Sequence, residues 1–599
     1  MHINKLLLCI ALALSSASAN AQYPKDNPAD DVLWTKNMPK LKKLVMTDIP
    51  GAPVLQQPVR IDGSEQEIRT NKHGLCYPAV FDWNHDGKPD LLLGEFSTGK
   101  LENNIKVFIN EGTRQKPRFS GKYFYARDAK GDTISNYQWC CIGIHPRLVD
   151  IDGDGQLDLL SGQYNPGLIS LWRGSEKGFL PMEYVPQEGY SEGAELRSQN
   201  LCSPNSNLYW NYTSASFADF NGDGLLDLFV GGSAGPRVAL NDGTKEQPRF
   251  GLRNYLYMTD GNILTPDLDK PQHEGSQPAF HKMYLHPVDW DGDGVLDILL
   301  THEYSNNGSW AITFFKGVVT NLGLRFEHPV PLFTTADGSK ALPGCQPMIC
   351  IDDLNGDGVK DIVMGLSIPT LHYEACTDLA WQWIADLGIE MPGKDAGEYY
   401  MFTTRDSLLA KIDTTEWARK YYLGNLNDNK YIDLRHRGYT YVFYGKQNKA
   451  LAEARTLTLE APKPKETKGF DDGSADEPLT YAIDASVNHG SVTLKITLRF
   501  KDGWHGYAEG KATETMGMIP TTVRVEVPKE KGYLMGTIDS PYVGSNPIYT
   551  GSHEFIQSMY LPKLKEGDVP IKIYISYQAC DDFMCLPPVE HTIDYVIKR

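Results

Sequence analysis

Short apolar stretches separated by turn-forming residues recur along most of the chain. "YPAVF" (77–81) and "LLLGE" (91–95) flank one polar loop, "HPRLV" (145–149) and "LLSG" (159–162) a second, "SASFA" (214–218) and "LFVGG" (228–232) a third. The arrangement returns in "LHPV" with "ILLTH" and in "PMICID" with "IVMG", and further strands follow, as in "KVFINEGT" and "RVALNDGT". Runs of this length, rich in branched residues and bounded by Gly, Asn and Asp, predict antiparallel strands, several per period. Helical texture is confined to an insertion at about 374–422, in "EACTDLAWQWIADLGIE" and "RDSLLAKIDTTEWARKYY". From about 479 the alternation changes to longer runs, "SVTLKITLRF", "TTVRVEVP", "IKIYISYQ" and "HTIDYVI".

The loops between the paired runs share one spacing. "DWNHDGKPD" (82–90), "DIDGDGQLD" (150–158), "DFNGDGLLD" (219–227), "DWDGDGVLD" (289–297) and "DLNGDGVKD" (353–361) place Asp or Asn at positions one, three, five and nine and Gly at six. A worn sixth copy is "NLNDNKYID" (425–433). Starts lie 64 to 72 residues apart, a period that signals a repeat architecture, and radial placement of such units gives a β-propeller. Six inner strands are expected. Residues 35–75 add strands that supply the outer strand of the last blade or a seventh blade, so the count is six or seven.

Such a loop presents oxygens alone, which suits a hard divalent cation of calcium's size, whereas magnesium resists dehydration in an all-protein cage. The expected ligands are Asp82, Asn84, Asp86 and Asp90; Asp150, Asp152, Asp154 and Asp158; Asp219, Asn221, Asp223 and Asp227; Asp289, Asp291, Asp293 and Asp297; and Asp353, Asn355, Asp357 and Asp361. A metal-free Asx-rich turn is the alternative. The pattern resembles the FG-GAP or VCBS repeats of integrin α-subunit propellers and secreted bacterial proteins, over residues 75–446. The resemblance implies about five structural calcium ions that hold the blades together, on the face opposite the usual ligand site.

On that opposite face, the segments before the inner strands are aromatic: "HGLCYP", "YQWCCIGIHP", "NLYWNYT" and "HKMYLHP". Tyr77, Trp139, His145, Trp210 and His286 are the candidate binders of a glycan or protein ligand, with Glu95, Gln163, His302 and Glu303 sharing the rim. Alternatively these rings plug the channel, or His145 and His286 hold a metal.

The last 120 residues carry "YQACDDFMCLPPVEHT" (577–592), with "DGWHGY" and "NPIYTGSHEF" upstream. These resemble the N-terminal domain of the DsbD-type thiol:disulfide interchange proteins. The resemblance implies an immunoglobulin-like β-sandwich, Cys580 and Cys585 as a redox pair, Tyr549 as an aromatic cap, and a periplasmic thioredoxin-like partner. Cys580 is the expected sulfur for a mixed disulfide. A structural disulfide is the alternative.

The whole is thus an all-β chain: signal segment 1–21, propeller 22–447, Pro- and charge-rich linker 448–478, and sandwich 479–599. "KLLLCIALALSSASANA" has the charge, apolar run and small-residue site of an export signal, which places the mature protein in a bacterial periplasm, outside the cell or on its surface. No later apolar run is long enough to span a membrane. The net charge of −18 excludes nucleic acid as a partner and suits divalent cations. Pairings among Cys76, Cys140, Cys141, Cys202, Cys345, Cys350 and Cys376 stay open, with Cys345–Cys350 one candidate. The favoured function is ligand binding by a calcium-stabilised propeller. The rivals are thiol:disulfide exchange at Cys580 and Cys585, and polysaccharide degradation from the rim, for which no nucleophile–base motif is present.

Overall fold

The computed structural model describes residues 41–599 outside 186–211, 270–282, 303–309, 373–397, 401–433, 461–465, 471–476, 542–547 and some shorter segments. The export signal, the sixth loop copy and the helical insertion (except the strand Glu398–Tyr400) lie outside the described residues. The chain is all-β. Among the described residues helix is confined to Lys511–Met516 and the 3-10 turn Pro562–Glu566.

Five antiparallel sheets each hold one aspartate loop between their first and second strands. They begin at Tyr77–Phe81, Arg147–Val149, Ala215–Ala218, Tyr284–Val288 and Cys345–Asp352, here called blades one to five. The two faces of each second strand feed two different cores. Leu92 packs with Ile144, Leu159 and Trp172 of blade two, whereas Leu91 and Leu93 pack with Val363 and Val442 of blade five. Blade two packs on blade three through Leu160 and Leu228, three on four through Phe229 and Ile298, four on five through Leu299 and Met364. Period-two alternation puts successive side chains on opposite faces, so two apolar faces on each strand close a ring. Backbone contacts repeat around it. Gly94 lies against the Ile144 carbonyl, Gly162 against Thr213, Gly231 against Met283, and Gly365 against Cys76. A Cβ at any of them would sit 2.0–2.1 Å from that oxygen.

The last contact joins blade five to blade one, so among the described residues the ring closes at five blades, in place of the expected six or seven. The worn motif is the source of the difference. The strand after it, Leu434–Phe443, opens no new blade but pairs with Asp361–His372 as the third strand of blade five. Its fourth strand is Val59–Arg60, so the N-terminal segment supplies the outer strand, the first of the two roles expected for it.

The linker is anchored at both ends. Thr456–Leu457 pairs in parallel with Gly317–Thr320, and Arg455 bonds Glu327. Phe470 stacks on Tyr481 and His591 of the C-terminal unit. That unit has a sheet built on Leu479–Asn488, Ser491–Phe500 and Ser552–Tyr560, and another built on Thr522–Glu526, Val569–Tyr577 and Val589–Ile597. Leu494, Ile496, Phe555, Ile573 and Ile575 fill the core shared by both.

Candidate functional sites

All five loops close hairpins of one register. The residue before position one pairs with position nine: Phe81 with Asp90, Val149 with Asp158, Ala218 with Asp227, Val288 with Asp297 and Asp352 with Asp361. Position six is left-handed throughout, with φ of 81° to 91° at Gly87, Gly155, Gly224, Gly294 and Gly358, which explains its glycine. Position four is left-handed too. His85, at φ 57°, adopts there what glycine adopts in the other four.

The position-nine aspartates are buried. One oxygen accepts the N–H of loop position two (Trp83 2.9 Å, Ile151 3.0 Å, Phe220 2.8 Å, Trp290 2.9 Å, Leu354 3.1 Å). The other accepts an N–H just past or at the end of the third strand (Asn110 2.7 Å, Gly174 2.7 Å, Asn241 2.8 Å, Gly317 2.7 Å, Gly445 2.8 Å). Each therefore ties three backbone segments of its blade together. Burial pushes the carboxyls of Asp90, Asp227 and Asp361 up to about 6 and that of Asp297 to about 7. Position one accepts the N–H of position six in every loop, at 2.8–3.1 Å. Carboxylate oxygens of Asp150, Asp152 and Asp158, and of Asp289, Asp291 and Asp297, gather within 4.8 Å of one another. The donor set, oxygens from a preshaped turn, fits a hard divalent cation.

Position three is Asp only in loops two and four, and there it has a cation of its own. Arg173 bonds Asp152, and Lys316 bonds both Asp291 and Asp293. Each cation stands one residue before the N–H that position nine accepts. At that site the other blades carry Ile109, Leu240 and Tyr444, and their position three is the neutral Asn84, Asn221 or Asn355. The extra carboxylate and the cation occur together, so the side chains at positions one, three, five and nine, taken with that cation, carry the same formal charge in all five loops. Sequence reading missed this pairing, although both residues lie in phase with the repeat.

The rim residues that fall in the described region are closed inside the molecule. The Tyr77 and Tyr284 hydroxyls lie 3.0 Å apart, and the His145 ring packs on both, with centroids at 5.5 and 5.9 Å. His145 accepts the Gly162 N–H at Nε2 (3.1 Å), and burial pulls it down to about 3. His286 is pulled well below the usual range by burial and by Arg147, whose neighbouring cation opposes a metal at the two histidines. Glu95 pairs with buried Lys106 (3.4 Å), and Gln163 donates to Ser170 (3.1 Å). Trp139, Trp210 and Glu303 lie outside the described residues. The plug makes a prediction: Tyr77→Ala costs about 3–5 kcal/mol in denaturant unfolding, whereas Tyr77→Phe costs about 1. Equal stability of wild type and Tyr77→Ala would show that the ring is no core residue.

Cys345 and Cys350 do not pair with each other. Both stand on the strand Cys345–Asp352, where five residues span roughly 16 Å, beyond the reach of a disulfide. Cys580 and Cys585 do form a disulfide, with Cα atoms 4.0 Å apart. The Asp581 carboxylate folds the turn between them by accepting the N–H of Phe583 (2.8 Å) and Met584 (2.7 Å). Cys580 is 1% exposed and its backbone pairs with His505 in both directions, at 2.8 and 2.9 Å. Cys585 is exposed, next to Phe583 at 95% and Met584 at 56%. Tyr549, expected as the cap, is instead a core residue of the sandwich whose hydroxyl donates to the Pro541 carbonyl (3.0 Å). Its strand Ile548–Thr550 pairs with His505–Tyr507, one strand removed from Cys580.

Among the described residues no helix is long and apolar enough to cross a membrane. The family model for the FG-GAP-like repeat matches residues 82–161 and 219–300. That for the N-terminal part of the thiol:disulfide interchange protein DsbD matches 477–597. A phosphatidylinositol-glycan-specific phospholipase D of Rattus norvegicus is 35% identical over 109 residues, covering 18% of this chain and 12% of the relative. The chain therefore carries FG-GAP-like repeats in its N-terminal part, folded as a propeller, and a DsbD N-terminal domain at its C-terminal end.

Proposed function

We propose that this is an exported protein whose calcium-stiffened propeller carries a DsbD-like domain that exchanges its Cys580–Cys585 disulfide with a thioredoxin-like dithiol, in the periplasm or at the cell surface. The observation behind this reading is the asymmetry of the disulfide, with Cys580 buried and Cys585 exposed beside two protruding apolar side chains. Exchange needs an attacking thiolate to reach one sulfur along the S–S axis and a second sulfur to leave. The partner's thiolate attacks Cys585 Sγ, a bond forms between the two proteins, and the electron pair of the broken bond leaves on Cys580. The partner's second thiolate then attacks its own bridged sulfur and releases Cys585. The disulfide here gains two electrons and, at neutral pH, two protons, while the partner is oxidised to its disulfide.

Phe583 and Met584 are the apolar contact for the partner. Phe583→Ala is expected to slow reduction by a thioredoxin-like protein about tenfold, or about 1.4 kcal/mol, while leaving the thermal midpoint within about a degree. An unchanged rate would remove Phe583 from the docking surface.

A second reading, glycan or protein binding by the propeller, is favoured by a cleft of about 700 Å³ on the loop face between blades one and two, lined by Trp83, His85, Arg114, Arg127 and Phe179. A glycan array probed with the full chain and with Arg114→Ala tests it. A signal that Arg114→Ala does not change would place the ligand elsewhere.

A further inference from the structure

A second cavity, of about 460 Å³, lies in the central channel and is lined by all five inner strands, including Ala79, Arg147, Ser216, His286 and Cys350. The Tyr77–Tyr284 pair stands at the end of the strands remote from the aspartate loops, and Asp352, Asp353 and Lys360 line the loop end. Arg147 reaches across from blade two. Its Nη1 donates to the Ile349 carbonyl (3.1 Å), and its Nη2 lies 3.5 Å from His286 Nε2. Its Nε is shielded from solvent and has no hydrogen-bond partner.

Among the described residues no carboxylate balances this guanidinium. The groups that act on it electrostatically are Cys350, Tyr284 and Tyr77, and burial lowers its proton affinity. Burial also raises Cys350, up to about 12, so that thiol is neutral, and His286 is held neutral as well. Asp352 and Asp353 point their oxygens into loop five, where they accept the N–H of Asp353 (2.7 Å) and of Asp357 and Gly358 (3.0 and 2.9 Å). Several other inset cations of the propeller are matched by carboxylates: Arg60 and Arg69 with Glu67, Lys106 with Glu95, Lys316 with Asp291. A half-buried cation without a counter-ion is costly to keep, and replacing it with an apolar residue of similar size is often neutral or stabilising.

We propose that the channel is a binding site for a small oxyanion, with the Arg147 guanidinium as its charge partner and Ser216 and His286 beside it. A guanidinium presents two parallel N–H donors to a carboxylate or to a tetrahedral oxyanion. The cavity falls within the size range of small-molecule sites, and a few polar groups converging on a partly apolar wall fix the orientation of a ligand there. The site is separate from the disulfide domain, and its loop end shares Val80, Asp352 and Asp353 with the cleft between blades one and two.

The test is calorimetric titration of the full-length protein, in calcium, with sodium acetate and with sodium sulfate against sodium chloride at equal ionic strength. Wild type is expected to bind acetate, sulfate or both saturably. Acetate alone identifies a carboxylate site, sulfate alone a tetrahedral oxyanion, and both an unselective one. Arg147→Met is expected to fold and to lose at least tenfold in affinity. Arg147→Lys keeps the charge without the fork and is expected to lose at least threefold. Heat from neither salt in wild type, or affinities in Arg147→Met equal to wild type, would overturn the proposal and leave Arg147 as a strut between blades. Should Arg147→Met fail to fold, wild type and Arg147→Lys decide it alone.

Discussion

Removing calcium is expected to lower the thermal midpoint of the propeller by on the order of 10 °C, and restoring it to recover the loss. A ligand held at about a hundred times its dissociation constant contributes roughly 2.7 kcal/mol per site, and in large domains each kcal/mol moves the midpoint by only a degree or two. Three fully dependent loops are enough for that shift. Loops one, three and five are the ones expected to depend on the ion, because Arg173 and Lys316 already hold loops two and four to their third strands. Lys316→Ala should therefore deepen the effect of chelation, since Asp291 and Asp293 lose their resident counter-charge. The pH dependence gives a sign test. Without the ion, Asp90, Asp227 and Asp361 titrate near 6 and Asp297 near 7 in the folded protein, above the roughly 4 of an unfolded chain. Between those values the folded state binds more protons, so stability falls as pH rises. Metal-free protein should thus gain stability from pH 7.5 to 5.5. Calcium-loaded protein should not, because protonation competes with the ion. A midpoint indifferent to chelation, together with no metal in the purified protein, would sink the calcium reading.

The repeat was legible because each loop is built from one short segment. Five left-handed glycines and five buried aspartates at fixed offsets are local requirements, visible without knowing what packs on them. The blade count was not legible, because blade five is assembled from distant pieces. Its second and third strands are separated by the insertion, and its fourth comes from Val59–Arg60 at the other end of the chain. Counting motifs then assigns Asn425–Asp433 to a sixth blade, whereas the strand that follows it pairs as a third strand. The burial of the described rim residues was not legible for a related reason. An aromatic before an inner strand serves equally as a ligand platform or a channel plug, and the radius of the ring decides between them. Five blades leave a narrow channel, and Tyr77, His145 and Tyr284 close its end remote from the loops. In the C-terminal unit, the motif located the disulfide, but which sulfur faces solvent depends on the His505 pairing from another strand.

That exposure reverses the expected order of the two cysteines. With Cys580 buried against His505 and Cys585 open, a lone thiol at 585 should be the reactive one. The comparison uses Cys580→Ser and Cys585→Ser with a thioredoxin-like protein that lacks its resolving cysteine and carries thionitrobenzoate on the other. The free thiolate attacks the partner's sulfur, thionitrobenzoate leaves, and its release is read by absorbance. Cys580→Ser is expected to react at least tenfold faster than Cys585→Ser, because a thiol must reach its target as well as ionise. Equal rates, or the opposite order, would end the assignment of Cys585 as the exchanging sulfur. Reduction should also leave the sandwich folded. The loop closed by the bond is short, so the bond constrains the unfolded chain by only about 2 kcal/mol, while Leu494, Ile496, Phe555, Ile573 and Ile575 keep both sheets together without it. Loss of the cooperative unfolding transition on reduction would make the disulfide a staple, and the exchange reading would fall with it.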